Sequence, residues 1–145
     1  MKNKTRTNPA TAVIRREFSF YADDDSFNDI LADLAAEGVT IIALTVTALN
    51  MGVNFVRMVV GPPNSNSSFA NMVARNALTS AGVRFREKKV IQIIAAPSPG
   101  RGLRIFQALR NVRLIAAYTG VNSIILNVSN IKTALAILMK KNIIR

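Results

Sequence analysis

With 145 residues, half of them apolar, the chain has enough hydrophobic material to bury a core, as one domain or as two small ones. It has no His and no Cys, which removes the usual proton shuttle at neutral pH, the thiolate nucleophile and the common zinc sites, and with them most catalytic templates. Its formal charge of +11 is unevenly placed: residues 1–37 hold five basic and seven acidic side chains, whereas residues 38–145 hold fourteen basic ones and the single acid Glu87.

Residues 1–11, rich in Lys, Asn and Thr and interrupted by Pro9, are expected to form a flexible basic tail. They lead into no signal-peptide core, and no apolar run reaches the length of a membrane span, so the simplest location is the cytoplasm, with no membrane contact. A partial alternation from Val13 to Tyr21, with Phe18 and Phe20 on one face, predicts the first strand. Asp23, Asp24, Asp25 and Ser26 suit the start of a helix, whose stripe is Phe27, Ile30, Leu31 and Leu34 and whose end is Gly38. Three adjacent aspartates could also hold a hard cation, but a calcium loop alternates its ligands and interposes glycine, so no metal is expected. Val39–Leu49 reads as a strand, Asn50-Met51-Gly52 as a turn, and Val53–Val60 as the hairpin partner. After the polar loop from Gly61 to Ser68, Phe69, Met72, Val73, Ala77 and Ala81 predict a helix closed by Gly82, and Val83–Arg86 a short strand. The order strand, helix, strand, strand, helix, strand is ferredoxin-like.

Beyond the basic joint Glu87-Lys88-Lys89 the order begins again. Val90–Ala96 reads as a strand, residues 100–110 as a helix with stripe Leu103, Phe106 and Leu109, and Val112–Thr119 and Val121–Val128 as a hairpin across Gly120. A last helix carries Ile131, Ala134, Leu135 and Leu138, and Ile143-Ile144 leaves a stub of strand. The chain is therefore expected to contain an internal repeat. Between the repeat's first strand and helix lies Pro97-Ser98-Pro99-Gly100-Arg101-Gly102-Leu103. Its prolines donate nothing, so the N–H groups of Gly100, Arg101, Gly102 and Leu103 are open beside the positive end of a helix, a geometry that suits a carboxylate or phosphate. Ser98 as cap with Pro99 at the first helical position also makes an ordinary helix start with no ligand, the reading that the turn taken alone favours.

Two such units in succession resemble a tandem pair of ACT domains, over residues 12–145. The segment Pro99-Gly100-Arg101-Gly102-Leu103-Arg104-Ile105-Phe106-Gln107-Ala108-Leu109 is similar to the Pro-Gly-x-x-x-(basic)-Ile/Val-Phe-x-Ala-Leu segment of aspartokinase regulatory domains, and Tyr118–Val128 to their second hairpin. The resemblance implies an α+β fold of two ferredoxin-like βαββαβ units, residues 12–88 and 89–145, with antiparallel sheets and helices on one face. It further implies an amino acid or similar small metabolite bound where units pack side by side. The ligand's charged end would meet Ser98, Pro99, Gly100, Arg101, Gly102 and Leu103; Leu114, Ile115 and Ala116 would offer backbone groups; and Thr40, Ile41 and Ile42 of the first unit would face the same interface. The sequence departs from the pattern twice. Asp23–Ser26 stands where a first-unit Pro-Gly is usual, and Pro97-Ser98 replaces the acidic or amide residue that would meet a ligand ammonium. The second unit ends almost at its final strand, which suggests a sheet completed by pairing within or between chains.

The leading functional expectation is a non-catalytic, cofactor-free regulatory protein that binds a small metabolite and assembles as a homodimer. Nucleic-acid binding is the alternative drawn from the charge and from the ferredoxin-like order. RNA-recognition modules of that order stack bases on several exposed aromatics, and this chain has nine aromatic residues, of which Phe55 reads as core. A third reading is a regulatory subunit that docks its basic face on a separately encoded enzyme or another acidic partner. Arg84, Arg86, Lys88 and Lys89 cluster in sequence around the joint, without revealing whether they share a surface.

Overall fold

The computed structural model describes residues 9–145, so the expected tail lies outside the described residues up to residue 8. From Ala10 onward the chain is already engaged: Ala10 N–H donates to Ile143 O at 2.8 Å, and Arg145 N–H donates to Ala10 O at 3.2 Å. Strand β1 then runs from Thr11 to Asp23, longer at both ends than the alternation predicted. The remaining elements are α1 (Asp24–Ala36), β2 (Ile41–Ala48), a 3-10 turn (Asn50–Gly52), β3 (Val53–Val60), α2 (Ser68–Ser80), β4 (Phe85–Ile94), α3 (Arg101–Ala108), β5 (Leu114–Gly120), β6 (Ser123–Val128) and α4 (Ile131–Lys140).

All strand pairs are antiparallel, and the sheet closes on itself in the order β1, β3, β2, β5, β6, β4. The expected joint at Glu87-Lys88-Lys89 is not a break, because β4 passes straight through it. The physical reason is the length of β1, which pairs with β4 from Thr11↔Ile94 to Phe20↔Phe85 and leaves no room for a loop. Closure depends on a narrow seam. Strand β2 meets β5 only at Ala43↔Gly120, where a Cβ on Gly120 would stand 2.5 Å from Ile42 O.

Paired residues share a face of the sheet, so the register separates the layers. Phe18, Phe20 and Ala22 of β1 face outward and pack with Ile30 and Leu34 of α1 and with Ala74 and Leu78 of α2. Ile91 and Ile93 of β4 also face outward, packing with Ile105 and Leu109 of α3 and with Ala134 and Leu138 of α4. Inside the barrel Val59, Val90, Ile125 and Ala43 form a third apolar cluster.

Two helical stripes differ in phase from the periodicity. In α2 the buried residues are Ala70, Val73, Ala74, Ala77 and Leu78, while Phe69 and Met72 are exposed; in α3 Ile105 and Leu109 are buried, while Leu103 and Phe106 are exposed. Small alanines let α2 approach the sheet closely, which a reading weighted to large side chains overlooks. Phe55 is half-buried rather than core: it packs on Tyr21 with ring centroids 4.9 Å apart and carries the Arg57 guanidinium over its ring.

The basic run at the former joint does not make one patch either. Arg86 and Lys88 alternate with Lys89 across the strand, and the Lys88 ammonium turns into the barrel, donating to Asn127 Oδ1 and Val128 O, both at 2.6 Å. Among the described residues no helix is long and apolar enough to cross a membrane.

Candidate functional site

Strand β4 leaves the sheet at Ile94, and the two prolines that follow keep residues 95–100 out of regular structure. The chain is nonetheless held close to the β5–β6 hairpin, because Ala95 N–H donates to Asn122 O at 3.1 Å. The helix start differs from the expected cap: neither Ser98 nor Pro99 occupies it. Gly100 is the cap residue, in the left-handed region at φ +79°, and α3 begins at Arg101. Ser98 contributes its carbonyl, which accepts from Arg101 N–H at 3.3 Å, and Gly100 O accepts from Arg104 N–H at 3.0 Å. The N–H groups of Gly102 and Leu103 belong to the first turn and have no intrahelical acceptor.

A cavity of about 340 Å³ opens between this turn and the hairpin. Ala95, Ala96, Pro97, Ser98, Arg101 and Gly102 form one wall, Thr119, Gly120, Asn122 and Ser123 the other, and Ile93 and Ile124 complete it. The structure thus brings Ser98, Arg101 and Gly102 of the expected residues into one cavity. Pro99, Gly100 and Leu103 do not line it, and Leu103 is 62% exposed. Leu114, Ile115 and Ala116 lie at the far end of β5, beside a bulge opposite Val128, so they too are away from the cavity. Thr40 and Ile41 are engaged with Gly61 and Val60. Ile42 is the exception among the three: its carbonyl accepts from Val121 N–H at 3.0 Å, directly behind Gly120.

Thr119, Gly120, Asn122 and Ser123 were not reached from the sequence. The register explains their presence, since Ser123 pairs with Ile94 and so brings the hairpin turn to the end of β4. The sequence places the hairpin turn at Gly120, whereas the structure makes Gly120 the last residue of β5, paired with Ser123, and puts the turn at Val121-Asn122.

Two polar atoms of the cavity residues stand out. Arg101 Nε and Ser123 Oγ are both buried and have no hydrogen-bond partner among the described residues. Ser123 as a whole is 7% exposed.

A second polar constellation fills the barrel. Glu17, 1% exposed, accepts from Arg57 Nη1 at 2.8 Å, Tyr118 Oη at 2.7 Å and Asn127 Nδ2 at 2.9 Å. Arg15, fully buried, donates to Gln92 Oε1 and to the carbonyls of Val60 and Pro62. Burial pushes the Tyr118 phenol far above its ordinary range, reinforced by the Glu17 charge, and burial pushes the Lys88 ammonium and the Arg15 guanidinium down. Every hydrogen-bonding group of Glu17 and Tyr118 faces a protein partner, so this network reads as scaffold rather than binding site. Among the described residues, no group of three or more acidic side chains could hold a metal ion.

No family model matches the sequence, and no curated protein matches it either. Solved structures do match in fold. Protein BT0572 from Bacteroides thetaiotaomicron superposes with a TM-score of 0.71 at 20% identity, over 90% of each chain. The ligand-free regulatory subunit of aspartate kinase from Thermus thermophilus gives 0.61 at 10% identity, over 93% of this chain and 98% of that one. Aspartokinase III from E. coli, in complex with lysine and aspartate, gives 0.53 at 11% identity, over 95% of this chain and 34% of that one. The fold is therefore that of the regulatory portion of aspartate kinases, an ACT-like arrangement of helices on an antiparallel sheet.

Proposed function

We propose that the chain is a tandem pair of ACT units, residues 12–88 and 89–145, acting as a non-catalytic regulatory protein that binds an amino acid or similar small metabolite in the cavity between α3 and the β5–β6 hairpin. One observation carries this reading: a cavity of metabolite size at the start of α3, lined by Arg101 and Ser123, each of which has a buried polar atom without a hydrogen-bond partner among the described residues. Donors left open beside a helix N-terminus favour a carboxylate. The topology supports the two-unit arrangement, because β4, β1, β3 and β2 neighbour one another as strands four, one, three and two of a ferredoxin-like unit do. In the second unit the place of the last strand, beside β4, is taken by the first half of β1. Leu44 and Val46 of β2 and Leu114 and Ile115 of β5 are exposed apolar residues on strands that diverge from the seam, which favours assembly through these edges into a homodimer, or onto a partner enzyme as its regulatory subunit.

A ligand that binds the folded state raises its melting temperature by mass action. After unfolding and refolding to strip carried-over molecules, a panel of amino acids and nucleotides is expected to give a selective rise with small amino acids or related carboxylates. A Gly102→Val variant, which crowds the cavity wall at a non-strained backbone position, is expected to lose that rise. No rise with any member of the panel would sink the proposal, and a rise with nucleotides alone would replace it.

A further inference from the structure

Among the described residues the cavity lining contains one charged side chain, Arg101, and no Asp or Glu. Resting on the reading of this cavity as the ligand site, we infer that its ligand is a small dicarboxylate, and that neutral and basic amino acids are discriminated against. A guanidinium edge matches a carboxylate; Arg101 lines the cavity, and its Nε is buried without a hydrogen-bond partner among the described residues, a donor that a ligand carboxylate would satisfy. A second acceptor is called for by Ser123 on the opposite wall, whose buried Oγ has no partner among the described residues, and by the N–H of Gly102 in the first turn of α3. Two donor groups on facing walls therefore suit two acceptor groups on one ligand.

The rejection of basic ligands follows from what is missing. A ligand ammonium would enter a partly enclosed space whose described lining offers no carboxylate, in the stretch 38–145 where fourteen basic residues stand against a single acid. That acid, Glu87, is bound to Arg75 on the outer face of β4 at 2.6 Å and contacts Arg16, so it is not available to the cavity. An α-ammonium alone could be held by carbonyls such as that of Asn122, but the side-chain ammonium of lysine would remain unpaired. At about 340 Å³ the space is at the small end for a metabolite pocket, which fits a chain of four or five carbons.

Calorimetric titration and melting curves with succinate, L-aspartate, L-threonine and L-lysine, at matched ionic strength and with sodium sulfate as control, test this. Succinate and L-aspartate are expected to bind and raise the melting temperature, L-threonine to bind more weakly, and L-lysine and sulfate to give no shift. Arg101→Gln, whose unliganded melting temperature checks that it folds, is expected to weaken dicarboxylate binding at least about tenfold, with Arg101→Lys in between. Threonine or lysine binding as tightly as the dicarboxylates would overturn the charge selectivity while leaving the amino-acid site standing. Sulfate matching succinate, or Arg101→Gln binding as well as the parent, would assign the effect to overall charge and overturn it as well. No shift with any organic probe would overturn both the inference and the site.

Discussion

Glu17 ties together parts of the chain that are far apart in sequence: Arg57 from β3, Tyr118 from β5 and Asn127 from β6 all donate to its carboxylate. Removing one partner of such a buried set leaves the others uncompensated, so Glu17→Ala is expected to cost about 3–5 kcal/mol in urea denaturation. Tyr118 gives the same network a pH signature. In the unfolded chain its phenol ionises near the ordinary value of 10.0, whereas burial first, and then the charge of Glu17, keep it protonated in the fold. Above that pH the native state holds the extra proton. The contribution is therefore complete below about pH 10 and is lost as pH rises, at about 1.4 kcal/mol per pH unit for one group. Denaturation of wild type and Tyr118→Phe between pH 8 and pH 11 is expected to show curves that converge toward high pH. Lys88, pushed down by burial, acts with the opposite sign, so the difference between the two proteins is the quantity to read. None of this was legible in the sequence, where Arg15 and Glu17 occupy the polar phase of an alternating strand. Alternation assigns that phase to solvent, and barrel closure reverses the assignment.

At the scale of elements, the seam between β2 and β5 rests on Gly120 lacking a side chain. A Cβ there would meet Ile42 O at 2.5 Å and the Ala43 Cβ at 2.9 Å, and neither backbone nor a packed methyl can move aside freely. Gly120→Ala is thus expected to lose about 1–3 kcal/mol and to part the two strands. Hydrogen exchange is the direct check, because Val121 N–H donates across the seam to Ile42 O and should lose protection well before the amides of β1. Unchanged protection at Val121 would show that the seam tolerates the extra atom. The sequence located this hairpin, with its turn one residue early at Gly120 rather than at Val121-Asn122, and it located β3 residue for residue, because strand and turn signals are local. It misplaced the faces of α2 and α3 for a related reason. Periodicity picks out large residues such as Phe69 and Phe106, whereas the packed face is decided by which small residues admit close approach. The cavity's second wall escaped because it depends on Ser123 pairing with Ile94, a non-local register.

For the whole molecule, the consequential feature is that β1 belongs to both hydrophobic clusters. Ala10 packs within the cluster of α3 and α4 and Ala12 against it, while Phe18, Phe20 and Ala22 pack with α1 and α2. The order of elements could be read along the chain, and the shortness of the second unit pointed to a sheet completed by pairing within or between chains; that β1 is the strand that does so depends on a non-local register. Residues 89–145 taken alone would lack the strand that covers β4 from Val90 to Ile94, the donor-to-acceptor bonds from Tyr118 and Asn127 to Glu17, and the bridge between Ala10 and Ile144. The exposed edge of β4 and the apolar residues beneath it would then face water, a loss too large for so short a segment to absorb. The isolated fragment 89–145 is accordingly expected to show no cooperative melt by circular dichroism, whereas the full chain melts in one transition. Mixing the fragment with residues 1–88 is expected to restore a cooperative melt, because β1 then supplies the missing strand in trans. A fragment that melts cooperatively by itself, or a full chain with two separate transitions, would show instead that the halves fold independently and that β1 only joins them.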